Sequence, residues 1–333
     1  MLKYLIPFIT ALFLTSLCIF LLNFFLGKVE WTGRISARHI HGKKTFRLGG
    51  AAMILAFNLA ILFNRDLVVT PELFGAMLAS WIILAVGVWD DVREISWKSQ
   101  LLYQTMVAVI TFIFGIRIYG IRNPLAGGII SLETGMGVAI AFLIAIVWII
   151  VIINSMNWLD GIDGLSGGIF FICSMAMFVL SLRPEVNQPP MAILAMILAG
   201  SALGFLFFNF YPSVIIAGTS GSMFMGFVLA VMAIFAGTKV ATAILVLSLP
   251  IIDFVWVIGE RLRRKKSIFK ADKNHLHHKL LELGWSQRKI TLYYYAVTAI
   301  ITIIALNTRA MGKSLAFAGI FIITVSILLF INK

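Results

Sequence analysis

Gly135 to Ile153 reads GMGVAIAFLIAIVWIIVII, nineteen residues without a charge, and Asn154 to Gly168 follows at once as NSMNWLDGIDGLSGG. A helix crossing about 30 Å of hydrocarbon needs about 20 mostly apolar residues, because each backbone amide in lipid must be paired inside its own segment. The first stretch meets that demand, and the second carries the polar groups to its end. Similar apolar runs lie on both sides. The pattern predicts spans at Tyr4–Leu26, Gly49–Phe63, Leu73–Trp89, Leu101–Tyr119, Gly135–Ile153, Gly167–Leu182, Met191–Phe208, Met223–Gly237, Val240–Gly259, Thr291–Leu306 and Ser314–Phe330. The expected fold is therefore an all-α polytopic membrane protein of about eleven transmembrane helices, forming a single domain over residues 1–333. Composition agrees: 61% of the 333 residues are hydrophobic and 12% charged, where a soluble domain carries roughly 25% charged residues. The first apolar run exceeds the ~7–15 residues of a signal peptide and no small-residue cleavage site follows, so it reads as a retained span. Cys18 and Cys173 both fall inside spans, which argues for packing rather than a disulfide or metal site.

If eleven spans alternate, the loops after the odd-numbered ones share a face. The first such loop holds six Lys and Arg residues, the third two and the ninth ten; with Lys333 that makes nineteen of the 27. The positive-inside rule then makes this face cytoplasmic, with the N-terminus outside and the C-terminus inside. The net charge of +13 fits basic loops beside anionic lipid headgroups. Nucleic acid is a poor partner, since the basic residues alternate with spans and no separate domain is left to read bases.

Two acidic pairs lie on the same face. Asp90 and Asp91 end the third span in GVWDDVREISWKSQ, and Asp160 and Asp163 follow the fifth. Clustered carboxylates repel one another, and a divalent cation relieves that repulsion. An oxygen-rich set without cysteine favours Mg²⁺, or Mn²⁺, over zinc. Asn154, Asn157 and Asp160 recur at i, i+3, i+6 and would line one face if the fifth helix continues. Gly161, Gly164, Gly167 and Gly168 let backbone approach a ligand.

Two further loops look suited to anions. Gly218 to Ser222, in GTSGSMFMGF, stand directly before the eighth predicted helix, whose unpaired N–H groups suit phosphate as well as simple capping by Ser220 or Ser222. In HIHGKKTFRLGG, His41, Lys43, Lys44 and Arg47 precede the second span. Residues 260–290 form an expected cytoplasmic loop holding His275, His277 and His278. That spacing lacks the i, i+4 pair of a helical zinc site, so the histidines read as hydrogen-bonding groups for phosphate and sugar.

Taken in order, these segments resemble the polyprenyl-phosphate N-acetylhexosamine-1-phosphate transferases. The resemblance rests on RHIHGKKTFRLGG (Arg38 to Gly50), the Asp90-Asp91 pair with Lys98 and Gln104 downstream, NSMNWLDGIDGLSGG, FNFYPS with Asn209, GTSGS, PIIDFVWVIGERLRR and DKNHLHHKLLELGW. It implies a multi-pass enzyme of the bacterial inner membrane with a cytoplasmic active site. There a polyprenyl (undecaprenyl) phosphate attacks the β-phosphorus of a UDP-N-acetylhexosamine, releasing UMP. It also implies roles. Asp90, Asp91 and Asp163 belong to the catalytic centre, with Asp90 deprotonating or orienting the lipid phosphate; Asp90, Asp91, Asp160 and Asp163 hold Mg²⁺. His41, Arg47, Lys98, Asn154, Asn157, Asn209, Ser220, His275, His277 and His278 bind substrate. UDP-GlcNAc is the expected donor from the HLHH pattern, with UDP-MurNAc-peptide or another UDP-HexNAc as the alternative; membrane lipid is a further partner and a homodimer is allowed.

One departure bears on the chemistry. The family's glycine loop usually reads GDxGS, with an Asp that binds metal, and this chain has Thr219 there. An inactive or regulatory relative is therefore a rival reading. A transporter is another, but it predicts ionisable groups at mid-membrane, whereas these sit at helix ends; Asp253, read as structural, and Lys239 are the exceptions.

Overall fold

The computed structural model describes residues 1–26, 46–122, 128–235, 240–268 and 274–331. Within them the chain is helical almost throughout. The helices are α1 (Leu2–Leu26), α2 (Gly49–Leu62), α3 (Pro71–Val92), α4 (Trp97–Ile113), α5 (Met136–Leu159), α6 (Leu165–Ser181), α7 (Pro189–Asn209), α8 (Gly218–Phe235), α9 (Val240–Val246), α10 (Ser248–Arg263), α11 (Leu276–Glu282), α12 (Gln287–Asn307) and α13 (Ala310–Ile331). A short antiparallel hairpin, β1 (Gly120–Arg122) with β2 (Ile129–Ser131), joins α4 to α5.

Every predicted span meets a helix, and among the described residues seven helices are long and apolar enough to cross a membrane alone. Helices α2 and α6 are apolar but shorter. The ninth predicted span is broken: α9 and α10 meet at 73°. Pro250 supplies the reason. It lacks the N–H that would bond back to Val246, so the helix cannot run straight through Leu247.

Helix ends follow local chemistry more closely than hydropathy. Thr70, Ser96 and Ser286 cap α3, α4 and α12 by accepting from Leu73, Ser99 and Lys289 N–H, with Pro71 at the first position of α3. Helix α3 runs three residues past the predicted Trp89, because nothing in Asp90-Asp91-Val92 breaks it, so the acidic pair rides on its last turn. Helix α5 continues to Leu159 and carries Asn154 and Asn157. Helix α8 starts at Gly218 rather than Met223, so the glycine segment is the helix's first turn and not a loop before it.

Helices α7 and α8 are buried nearly all round, whereas α13 and α1 expose most of their surface. On α5 the exposed Met136, Ile140, Leu143 and Val147 recur at helical spacing and form an outer apolar stripe. Between helices the interior is joined by small polar groups: Asn58 donates to Ser80 Oγ across α2 and α3, and Thr15 to Ser201 Oγ across α1 and α7. Cys18 and Cys173 are free thiols within α1 and α6.

The segment before α2 pairs with the segment before α8. Ile216 N–H donates to Phe46 O at 2.9 Å, Gly49 N–H to Ile216 O at 3.1 Å and Gly50 N–H to Ala217 O at 2.9 Å. This seats Gly50 against Gly221, where a Cβ would strike the backbone nitrogen of Gly221 and lie 2.8 Å from Ala217 O. Gly50→Ala should therefore cost about 1–3 kcal/mol of stability, read as a lower midpoint of thermal unfolding in detergent. An unchanged midpoint would mean that the two helix starts part freely.

Candidate active site

The C-terminal ends of α3, α5 and α7 and the N-terminal ends of α8 and α12 meet at one end of the bundle. Asp91, on the last turn of α3, is buried and points at the start of α8. Its carboxylate accepts from Thr219 N–H at 2.8 Å and from Ser220 N–H at 3.4 Å, with Ser220 Oγ at 3.5 Å. Asp91 thus caps α8 from another helix, where the sequence offered Ser220 or Ser222 for capping as an alternative to phosphate binding. Negative charge is stabilised there because those N–H groups have no partner within the helix. The Arg47 guanidinium lies 3.9 Å from Asp91. Asp90 turns away and accepts from Ile95 N–H at 2.9 Å and Gln100 Nε2 at 3.2 Å.

The second acidic pair is reached through α5. Asn154 Nδ2 donates to Gln104 Oε1 on α4 at 2.8 Å, and Ser222 Oγ of α8 donates to Asn157 Oδ1 at 2.7 Å. Asp160 caps the C-terminal end of α5 and accepts from Ser166 Oγ at 2.5 Å. Burial pushes its carboxyl up to about 6, reinforced by Asp163 and opposed by the Ser166 hydroxyl and the charge of Arg47. Arg47 therefore acts on a carboxylate of each pair, Asp91 and Asp160.

Asp163 is placed deeper. It accepts from Ser213 N–H at 2.9 Å and Ser213 Oγ at 2.8 Å, while its own backbone bonds Gln287 and Thr291 of α12. Asn209 accepts from Gly164 N–H and donates to Ile215 O, tying the start of α6 to the segment before α8. Lys98 is exposed on the first turn of α4, its ammonium 5.7 Å from the Trp97 ring centre.

The histidines form a stack over the α5–α6 turn. His275 and His277 lie nearly parallel with ring centres 5.6 Å apart, and His278 is 4.3 Å from His277. His277 is fully buried against Gly161, where any Cβ would strike its Nε2. Burial, then the neighbouring His278 and His275, hold its pKa well below the ordinary histidine value, so it stays neutral. His41 and Lys239 lie outside the described residues.

Among the described residues no three His, Cys, Asp or Glu side chains come together as a metal-holding group. Arg47 stands instead between the two acidic pairs, acting on Asp91 of one and Asp160 of the other. That donor set suits Mg²⁺ in its usual mode, one or two carboxylates with the rest supplied by water and substrate phosphates, better than a closed all-protein cage.

The sign of the Asp160 shift gives a stability prediction. Its folded value, about 6, stands above the ordinary 3.8, so the folded chain holds this proton more tightly than the unfolded one. Ionising Asp160 therefore weakens the fold fully above pH 6, less as pH falls towards 4, and not at all below that. Asp160→Asn should melt higher than the parent at pH 8 in metal-free buffer, with the gain gone below pH 4. A gain equal at both pH values would contradict this.

A glycosyl transferase family 4 model matches residues 73–237, the stretch that holds both acidic pairs and the start of α8. A decaprenyl-phosphate N-acetylglucosaminephosphotransferase of Mycobacterium leprae is 30% identical, with 90% of this chain and 82% of that protein aligned. The chain belongs to glycosyl transferase family 4. A Bacillus subtilis family member, described as a probable undecaprenyl-phosphate N-acetylglucosaminyl 1-phosphate transferase, is 27% identical over 98% of this chain and 90% of its own length. A phospho-N-acetylmuramoyl-pentapeptide-transferase of Fusobacterium nucleatum is 30% identical over 82% of each. Family membership thus agrees with the resemblance read from the motifs.

Two contributors in this family 4 site, Ser213 and Arg261, were not singled out from sequence, and a third, Asp253, was read only as structural. Ser213 holds Asp163, Arg261 lies over the Trp158 ring at 4.7 Å, and Asp253 binds His275 at 2.7 Å. Only Asp253 left a local signal: a lone carboxylate in the apolar run PIIDFVWV needs a partner.

Proposed function

We propose that this chain transfers N-acetylhexosamine-1-phosphate, with GlcNAc-1-phosphate first in order, from a UDP-sugar to a polyprenyl phosphate, releasing UMP and leaving a polyprenyl-pyrophosphoryl sugar. The observation that carries the proposal is the meeting of Arg47, the Asp91-capped start of α8, Asn157 and Asp160 at one end of an apolar bundle, in a chain whose relatives are named for this transfer. Both reactants are phosphorylated anions, and one is a lipid. A site at the end of membrane helices lets a headgroup enter from the bilayer while a nucleotide enters from water.

The chain's own groups divide the work. Arg47 and the first-turn N–H groups of α8 supply positive potential for phosphate oxygens. Asn154 and Asn157 are held by Gln104 and Ser222 at fixed positions, which suits them to orient a nucleotide or phosphate. Asp90 is the group assigned to hold or take the proton of the lipid phosphate. Bound Mg²⁺, held by Asp91 and Asp160 with substrate phosphates, would neutralise charge on the diphosphate. This end faces the cytoplasm, in a bacterial inner membrane crossed eleven times with the N-terminus outside and the C-terminus inside, a placement supported by the basic residues of the odd-numbered loops.

Donor choice is tested by competition. Purified protein given polyprenyl phosphate with equimolar UDP-GlcNAc and UDP-MurNAc-pentapeptide should make the GlcNAc product predominantly. Predominance of the muramyl product would overturn the choice of donor.

A further inference from the structure

Asp253 stands inside α10, in an otherwise apolar stretch, and is almost fully buried. Both carboxylate oxygens are engaged. Oδ2 lies 2.7 Å from Nδ1 of His275, and Oδ1 accepts from Leu276 N–H at 2.8 Å, at the first residue of α11. His275 is equally buried, and the Trp158 ring meets it edge-on at 5.4 Å. His275 in turn stacks on His277, which presses on Gly161 between Asp160 and Asp163. The chain of contact runs without a gap from Asp253 to the α5–α6 turn.

We propose that Asp253 is a positioning residue for the transfer. Its carboxylate keeps a proton on Nδ1 of His275, leaving Nε2 as the nitrogen for any other partner, and sets the histidine stack against the turn that carries the acidic pair. A carboxylate accepting from one ring nitrogen fixes both the tautomer and the ring orientation. The second bond, to Leu276 N–H, locks the backbone on which His277 and His278 follow. An asparagine would keep that backbone bond through its oxygen but would turn an N–H₂ towards Nδ1, favouring the opposite tautomer. This rests on the transferase reading above, and the substrate part it concerns is the diphosphate or sugar.

The test is a double-mutant cycle on the full-length protein in detergent, read as UMP release, with thermal unfolding as the folding control. Asp253→Asn should lower kcat about 10–100-fold with KM changed less than about threefold, and the same change made in His275→Gln should add less than about threefold. An equal loss in both backgrounds, or a loss confined to KM, would overturn the proposal. Should Asp253→Asn fail to fold, histidine-¹⁵N spectra of the parent decide, with His275 assigned from His275→Gln. A protonated Nδ1 supports the proposal and a bare Nδ1 overturns it. Absence of UMP from the parent protein would refute the transferase reading itself, and with it any part for Asp253 in this reaction.

Discussion

Replacing Asp91 by Asn should lower turnover about 1000-fold, equivalent to about 4 kcal/mol of transition-state stabilisation, while thermal unfolding stays close to that of the parent. The two outcomes separate because the side chain has two duties. As a cap for α8 it offers Oδ1 to Thr219 N–H at 2.8 Å and Oδ2 to Ser220 N–H at 3.4 Å; the asparagine amide oxygen keeps the shorter bond, and only the long one is lost. As a charged group it balances Arg47 at 3.9 Å and, in the proposed reaction, faces a divalent cation; a neutral amide does neither. Asp90→Asn should fall as far for another reason. Its bonds to Ile95 and Gln100 need only acceptor capacity, so a large loss there reports the proton of the lipid phosphate. Full activity in both variants would leave the acidic pair as helix-end decoration and remove it from the catalytic centre.

Thr219→Asp is the second variant with a large expected effect. Thr219 is the second residue of α8 and donates its N–H to Asp91 at 2.8 Å. A carboxylate in this position stands beside Asp91, so two negative charges share one helix start. Without metal they repel, and unfolding should move to lower temperature. With Mg²⁺ the same pair gains a two-carboxylate mode of binding, and the Mg²⁺ concentration for half-maximal UMP release should fall at least about tenfold. Unchanged metal dependence would rule out a metal role for this position. It would also explain how a threonine can stand where the family's usual pattern has an aspartate.

The two results bear on what could be read from the chain alone. Apolar runs disclosed the long helices of the bundle, since a membrane imposes one length and one pattern on each, whereas the short α11 lies in the 260–290 stretch read as a loop and the ninth span is two helices. The spacing of Asn154 and Asn157 placed them on one helical face, and α5 carries both. Helix ends were harder. Asp90 and Asp91 lower the local hydropathy without breaking an intrahelical hydrogen bond, so the third span looked shorter than α3 is. The GTSGS segment looked like a loop because two glycines among small polar residues suggest one, yet pairing of residues 46–50 with 215–217 fixes Gly218 as the start of α8. Contacts between distant segments left the weakest trace. Asp253 and His275 are separated by 22 positions, and Arg47 reaches Asp91 across two helices; neither pairing has a period or motif of its own. Arg47 acts on one carboxylate of each acidic pair, Asp91 and Asp160, while Ile95 and Gln100 hold Asp90 and Ser213 holds Asp163.

The most direct measurement is release of UMP by the purified protein in detergent, supplied with a polyprenyl phosphate, labelled UDP-GlcNAc and Mg²⁺. The account predicts UMP and a labelled polyprenyl-pyrophosphoryl sugar in equal amounts, both lost when the lipid phosphate is left out. No UMP from any UDP-N-acetylhexosamine, at any Mg²⁺ concentration, would contradict it.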